Sequence, residues 1–266
     1  MPNIICVTNL TKKYKDIIAV NDICFNVRTG DIFAFLGPNG AGKTTTIKML
    51  ITLLAPTSGS AELNGLDIAR SSAAVRQSIG YVPQMLSVDG ALTARENLKL
   101  MARLYDIPKP ERAGRVDETI KFLNLERQAD ALVRTFSGGM IRKLEIGQAM
   151  MHRPKVLFLD EPTTGLDPLA RQSVWRHLLE LKNKYGTTIF FSTHYMDEAE
   201  DNADQIAIMH GGKIAVIGTS LELKQKTGRA DATLDDAFAF FAGTKLQINA
   251  NFKEIRRNRA VGRRLG

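Results

Sequence analysis

The sequence predicts an α/β protein with a mostly parallel β-sheet built around a phosphate-binding loop. A glycine-rich loop follows the apolar segment 32–36, as in a strand, loop and helix unit. After residue 150, apolar strand patterns alternate with helical ones, as in a parallel sheet. Short strand patterns separated by turn residues dominate before residue 70, which predicts an antiparallel β flap beside that sheet.

Length and composition are typical of a globular protein that can bury a substantial core. The 266 residues are 44% hydrophobic and 24% charged. No apolar stretch approaches the roughly 20 residues needed to span a bilayer. The start of the chain lacks the layout of a signal peptide, and the two cysteines lack metal or redox spacing. We therefore expect a cytosolic protein.

The net charge of +8 is unevenly distributed along the chain. Residues 245–266 hold seven Lys or Arg against one acid, Glu254, which leaves a net charge of only +2 on the other 244 residues. This nearly balanced body gives no indication of nucleic-acid binding. We expect 244–266 to be a flexible basic tail, which either contacts anionic lipid or an acidic partner, or has no partner at all.

Turn chemistry and periodicity predict how the main domain, residues 1–243, is organised. Asn64-Gly65 lies between two short strand patterns and predicts a hairpin in the flap. A mostly helical subdomain is predicted over about 86–150, inserted into the core domain. Its helical spacing is carried by Leu98, Met101 and Tyr105 and then by Val116, Ile120 and Leu123.

The phosphate-binding loop is the most informative motif in the chain. Its glycines let backbone N–H groups surround a triphosphate, Lys43 can reach the β- and γ-phosphate oxygens, and the Thr44 hydroxyl can bind Mg²⁺. The helix that follows adds its N-terminal dipole. The alternative is an ordinary glycine-rich turn. The motif, and with it the predicted site for a nucleoside triphosphate and Mg²⁺, comprises Gly37, Pro38, Asn39, Gly40, Ala41, Gly42, Lys43, Thr44 and Thr45.

Two carboxylates, Asp160 and Glu161, end the apolar strand pattern 156–159. In α/β proteins ligands bind at this carboxyl edge of a parallel sheet. We expect Asp160 to hold Mg²⁺ and Glu161 to orient or deprotonate the attacking water. The alternative is a surface acid pair that leads into the turn at Pro162.

A third motif, Ser137-Gly138-Gly139, precedes a helical pattern. Alone it would indicate only a helix capped by Ser137. Together with the other motifs, in the same order from about residue 4 to 243, it resembles the ATP-binding subunits of ABC transporters, whose signature is Leu-Ser-Gly-Gly-Gln. Phe136 and Met140 depart from that form, although Met is usual there in a subset of the family.

The resemblance implies an ABC ATPase fold with a P-loop NTPase core, and a head-to-tail dimer with a second copy of the chain. In that dimer Ser137, Gly138 and Gly139 of one copy complete the ATP site of the other. His194, after the strand pattern 187–191, resembles the family's switch histidine, which contacts the γ-phosphate. Gln84 resembles the glutamine that touches Mg²⁺ or water and relays nucleotide state to the membrane partner.

Two further residues match family motifs, and each has an ordinary alternative. Asp167 matches the loop that crosses to the other subunit, although Asp before Pro168 is also a common helix start. Tyr14 matches the aromatic residue that stacks on adenine. The alternative for Tyr14 is a half-buried side chain at a strand edge.

Several segments resemble the daunorubicin-resistance type of ABC-2 exporter subunit, including 87–98, Met140 and 232–238. The resemblance implies an ATPase at the cytoplasmic face of the membrane that powers export of a drug-like or lipid-like substrate through a separate integral membrane permease. The alternative is an ABC ATPase that acts on ribosomes or nucleic acid. The single phosphate-binding loop and the 94 residues between Lys43 and Gly138 argue against it. A module that binds ATP without hydrolysing it is disfavoured because Gln84, Glu161 and His194 are all present.

Overall fold

The computed structural model describes residues 2–243. The predicted tail, 244–266, lies outside the described residues. Within these bounds the strands are β1 (Asn3–Tyr14), β2 (Ile17–Arg28), β3 (Ile32–Leu36), β4 (Ser58–Leu63), β5 (Leu66–Asp67), β6 (Ile79–Val82), β7 (Val156–Asp160), β8 (Thr188–Thr193), β9 (Gln205–His210) and β10 (Lys213–Gly218).

The helices alternate with the strands of the core and cluster between β6 and β7. They are α1 (Lys43–Leu50), α2 (Ser72–Ser78), α3 (Ala94–Leu104), α4 (Lys109–Phe122), α5 (Gly138–Met150), α6 (Pro168–Tyr185), α7 (Met196–Asn202), α8 (Ser220–Gln225) and α9 (Leu234–Phe241). Short 3₁₀ turns at Glu126–Gln128 and Val133–Thr135 connect α4 to α5. None of the helices in the described part of the chain is both long and apolar enough to cross a bilayer.

The strands form two sheets, which confirms the predicted fold class. A six-stranded sheet has the order β10-β9-β3-β8-β7-β6, parallel except for the final hairpin of β9 and β10. A four-stranded antiparallel sheet has the order β2-β1-β4-β5 and includes the hairpin predicted at Asn64-Gly65.

The alternation of side chains along β3 explains how the parallel sheet is buried on both faces. All five residues of β3 are buried. Phe33 and Phe35 pack in the core toward the antiparallel sheet, whereas Ile32, Ala34 and Leu36 pack in the core beneath the helices. Aromatic rings on neighbouring strands contact each other, and the ring centroid of Phe35 lies 4.9 Å from that of Phe190 on β8.

The helical insertion has a hydrophobic core of its own. Leu98 on α3 and Val116 and Ile120 on α4 are buried within it. Thr93 caps α3, and its hydroxyl and backbone N–H exchange hydrogen bonds with Glu96 in a capping box. Helix α5 links this core to the main one, because Leu144 packs in the former and Ile146 in the latter.

The register of the parallel sheet places the ends of three strands side by side. Leu36 at the end of β3 is opposite Thr193 of β8, and Asp160 at the end of β7 is opposite Ser192. Residues that follow β3, β7 and β8 therefore share one edge of the sheet, although they are far apart in the chain.

Candidate functional site

The loop 37–42 joins β3 to α1, and its backbone requires glycine. A Cβ on Gly37 would lie 2.3 Å from the Met209 carbonyl oxygen. Gly42 has φ +105°, and a Cβ there would lie 2.5 Å from the Ala19 carbonyl oxygen. The loop therefore packs closely on β2 and β9 and leads directly into α1, whose first N–H groups have no partner within the helix.

This loop forms one wall of a cavity of about 460 Å³, a volume common for small-molecule sites. Gln84 and Glu161 also line it, although they are distant from the loop in the chain. The full lining consists of Ala19, Asn39, Gly40, Ala41, Gly42, Lys43, Thr44, Thr45, Gln84 and Glu161.

The Lys43 side chain is buried at the centre of this arrangement. Its Nζ donates hydrogen bonds to the carbonyl oxygens of Gly37 at 2.7 Å and Pro38 at 3.1 Å. It also lies 3.5 Å from Oε1 of Glu161. Burial lowers the pKa of Lys43, and the neighbouring Glu161 carboxylate opposes that shift.

Asp160 joins the phosphate-binding loop to the sheet. Its Oδ1 accepts hydrogen bonds from the Thr44 hydroxyl at 3.1 Å and from the Ser192 hydroxyl at 2.6 Å. These groups form a compact set of oxygen atoms at the edge of the sheet. The described residues contain no group of three or more His, Cys, Asp or Glu that could hold a metal ion by itself. Mg²⁺ characteristically binds through one or two carboxylates together with substrate phosphates, and this oxygen set fits that pattern.

Glu161 has a left-handed backbone, with φ +49°, which is uncommon for a residue other than glycine and occurs preferentially at functional sites. Its N–H is held by the Ser192 hydroxyl at 3.0 Å. Oε2 accepts hydrogen bonds from Gln84 Nε2 and from the Thr164 hydroxyl, each at 3.2 Å. His194 Nδ1 lies 3.3 Å from the same oxygen. The strained turn thus points the carboxylate at Gln84 and His194.

The residues of the third motif lie outside the wall of this cavity. Ser137 caps α5 and accepts a hydrogen bond from Met140 N at 3.3 Å. A Cβ on Gly139 would lie 2.9 Å from the Ala170 Cβ on α6. Asp167 caps that helix by accepting a hydrogen bond from Ala170 N at 2.9 Å. The motif and Asp167 are therefore close to each other, but neither lines the cavity.

Tyr14 ends β1 and lies outside the cavity wall as well. Its side chain is 44% exposed, and Lys12 Nζ lies 5.3 Å from the ring centroid. One face of the ring is therefore covered by a cation, and nearly half of the side chain remains open for stacking.

Sequence reasoning did not identify two hydroxyl groups that hold the site. Ser192 bonds both Asp160 and the Glu161 backbone, and Thr164 bonds the Glu161 carboxylate. Ser192 could have been found from its place in the sequence, because it is a hydroxyl residue near the end of the buried strand β8 and only two residues before His194. The signal for Thr164 was weaker, because threonine is common in turns.

Comparison with known proteins places this geometry in context. Residues 20–164 match the family described as ABC transporter. The chain is 40% identical over 235 residues to the daunorubicin resistance ATP-binding protein DrrA3 of Streptomyces coeruleorubidus, a match that covers 88% of this chain and 74% of the relative.

Two solved structures show the same fold. The structure of an ATP-binding subunit of an ABC transporter matches with a TM-score of 0.80 and 32% identity over 90% of this chain and 99% of that one. A dimeric ATP-binding cassette in a post-hydrolysis state, bound to ADP and Pi, matches with a TM-score of 0.73 and 26% identity over 81% of this chain and 98% of that one.

Proposed function

Because this chain belongs to the ABC transporter family and is an ATPase of that family, we propose that it drives export through a separate permease in the membrane. The observation that supports hydrolysis most directly is the meeting of four side chains. Lys43, Gln84 and His194 all lie within 3.5 Å of the Glu161 carboxylate.

We assign residues that line the cavity, and others beside it, to steps of hydrolysis. Lys43 and the N–H groups of loop 37–42 hold the phosphates, and Tyr14 stacks on the base. Thr44, Asp160 and Gln84 would hold Mg²⁺, which fits the oxygen set around Asp160 and would neutralise phosphate charge when bound. Glu161 orients the attacking water and accepts its proton, and His194 fixes the Glu161 carboxylate and reaches the γ-phosphate.

A second copy of the chain completes the site in this proposal. Ser137, Gly138, Gly139 and Asp167 lie outside the cavity wall and adjoin one another. A head-to-tail dimer would bring the N-terminus of α5 from one copy to the phosphates held by the other. The matched structure of a related cassette is described as dimeric, which supports this arrangement.

The exported substrate is proposed to be drug-like or lipid-like. The resemblance to a daunorubicin resistance protein supports this class. The subunit would then work at the cytoplasmic face of the membrane, bound to its permease. Action on ribosomes or nucleic acid is not favoured by the relatives.

The first experiment uses the Glu161→Gln variant, which should bind ATP, lose hydrolysis and hold the closed dimer. The tagged variant is produced in the organism that encodes this chain and is purified with ATP and Mg²⁺ present. The proteins that co-purify with it are then identified. We expect a polytopic membrane protein. Recovery of ribosomes or DNA without one would overturn the transport proposal.

The matched control is Glu180→Gln on the exposed face of α6. It should hydrolyse ATP at the unchanged rate and should not trap the dimer. Hydrolysis by Glu161→Gln at the same rate as this control would show that Glu161 has another role.

A further inference from the structure

A buried ion pair lies on α5, and neither of its residues lines the cavity. Arg142 Nη1 and Glu145 Oε2 are 3.0 Å apart, one turn apart on the helix. The two residues are only 3% and 2% exposed. Burial lowers the pKa of Arg142 and raises the pKa of Glu145, since each loses the hydration of its charged form.

Among residues 2–243, the side-chain hydrogen bonds of this pair go to one loop, residues 83–87. Arg142 donates to the carbonyl oxygens of Pro83 at 2.8 Å and Gln84 at 3.1 Å. Glu145 Oε1 accepts hydrogen bonds from the Ser87 N–H at 2.6 Å and from its hydroxyl at 3.1 Å. The guanidinium therefore holds the start of the loop, and the carboxylate holds its end.

Between these two anchors the loop is exposed. Met85 is 82% exposed, so its side chain contributes little packing that could hold the loop. The orientation of the Gln84 backbone is instead determined by the charge-assisted bond from Arg142. The Gln84 side chain extends from this backbone, and its Nε2 donates a hydrogen bond to Glu161 Oε2 at 3.2 Å.

A purely stabilising role explains the pair poorly. Moving two charged groups out of water costs free energy that offsets much of their mutual attraction. A buried ion pair therefore adds little net stability compared with an apolar pair. Arg142 Nε also has no hydrogen-bond partner among the described residues. What the pair provides is a defined position for the loop relative to α5.

We propose that Arg142 and Glu145 are positioning residues, which fix the 83–87 loop to α5 so that the position of this helix determines the contact between Gln84 and Glu161. Helix α5 begins at the Ser137 cap, in the motif that would meet the partner's nucleotide. ATP held by one copy would thereby act on the catalytic carboxylate of the other through a single helix and one loop. This inference rests on the proposed function.

The test replaces both charges with apolar residues of similar size, in Arg142→Met/Glu145→Leu, because apolar replacement of a buried pair is often tolerated. We expect kcat for ATP hydrolysis to fall about tenfold, which corresponds to about 1.4 kcal/mol and is the size of one ordinary hydrogen bond. The dissociation constant for ATP should stay within about twofold, because no residue that binds nucleotide is changed. In the Gln84→Ala background the same double change should have no further effect on kcat.

A second readout follows the loop itself. A nitroxide spin label on Met85→Cys, with Cys6 and Cys24 replaced by Ser, reports the mobility of the loop by electron paramagnetic resonance. The label should be more mobile in the double variant, and the spectral change on adding ATP and Mg²⁺ should be lost. The control is Arg95→Ala, which removes an ion pair with Asp117 and Asp130 from the same helical insertion and should change neither readout.

Besides an unchanged kcat in the double variant, three outcomes would overturn the inference. The first is an equal loss of kcat in the Gln84→Ala background. The second is unchanged label mobility despite lower kcat, and the third is an equal effect of Arg95→Ala. If the double variant does not fold, Arg142→Lys carries the same measurements, because it keeps the positive charge opposite Glu145 but its single nitrogen cannot replace the two guanidinium bonds to Pro83 and Gln84.

The proposed function can be judged separately in the same set of proteins. If Gln84→Ala and Glu161→Gln leave hydrolysis unchanged, the assignment of the site fails. If both lower hydrolysis while the Arg142 and Glu145 variants do not, only the inference about the ion pair fails.

Discussion

The Thr193 hydroxyl donates a hydrogen bond to Glu198 Oε2 at 2.5 Å, directly beside His194. The same hydroxyl accepts a hydrogen bond from Tyr195 N at 3.0 Å. Glu198 Oε1 accepts further bonds from the Thr163 hydroxyl at 2.5 Å and from the Trp175 indole N–H at 2.8 Å. One buried carboxylate on α7 thus binds Thr193 directly, and through its hydroxyl the Tyr195 backbone, and it also binds Thr163 in the turn that follows Glu161.

We predict that Glu198→Ala lowers the free energy of unfolding by about 3 kcal/mol, because it leaves buried donors without an acceptor. Denaturant-induced unfolding measures this loss. Glu200→Ala on the same helix removes a partly exposed ion pair with Lys224, so it should cost about 1 kcal/mol or less. Similar losses for the two variants would refute the special role of Glu198.

Lys43→Met should reduce ATP turnover by on the order of a hundredfold or more, because a preorganised charge at the phosphates is lost. Steady-state hydrolysis assays measure the loss. The control is Lys48→Met on the exposed face of the same helix, which should hydrolyse ATP at the wild-type rate. Retention of more than half of the activity by Lys43→Met would contradict the assignment.

Gly37→Ala should abolish nucleotide binding and lower stability, since its Cβ would lie 2.3 Å from the Met209 carbonyl oxygen and the backbone must move. Calorimetric titration with ATP and thermal unfolding test this. Gly114→Ala provides the opposite control, because a Cβ there meets nothing within 4 Å in the middle of α4. That change should preserve binding and stabilise the fold by roughly 0.5–1 kcal/mol.

His152 predicts a pH dependence of stability. Its Nε2 donates to the Ile79 carbonyl oxygen at 2.9 Å, and its Nδ1 is buried with no hydrogen-bond partner in residues 2–243. Burial lowers the pKa of His152 below 6.5. As pH falls below about 6.5, the unfolded chain gains a proton at this site before the folded chain does, so folding stability is lost toward acid.

His152→Gln should remove up to one proton from this pH dependence, or about 1.4 kcal/mol per pH unit at its steepest. Urea unfolding between pH 5 and 7.5 measures the slope. Identical slopes for wild type and His152→Gln would show that another group is responsible.

The strands, the helices and most of the cavity could be predicted because they follow from local patterns. The apolar run of β3, the Asn64-Gly65 turn and the glycines of the phosphate-binding loop each act within a few residues. The network around Glu198 could not be predicted in this way. Its partners Thr163 and Trp175 precede it by 35 and 23 residues, and a Glu on a helix ordinarily faces water.

By itself, the sequence determined the chemistry of the phosphate-binding loop, the order of strands and helices along the chain, and the family to which the protein belongs. Each depends on residue types at fixed short spacings. Only the tertiary structure decided which other distant groups meet, since Glu198 reaches Thr163 across 35 residues and Arg142 reaches Pro83 across 59. The physical reason is that such pairs depend on strand order and register, which arise when many apolar side chains are buried together and no single motif encodes them.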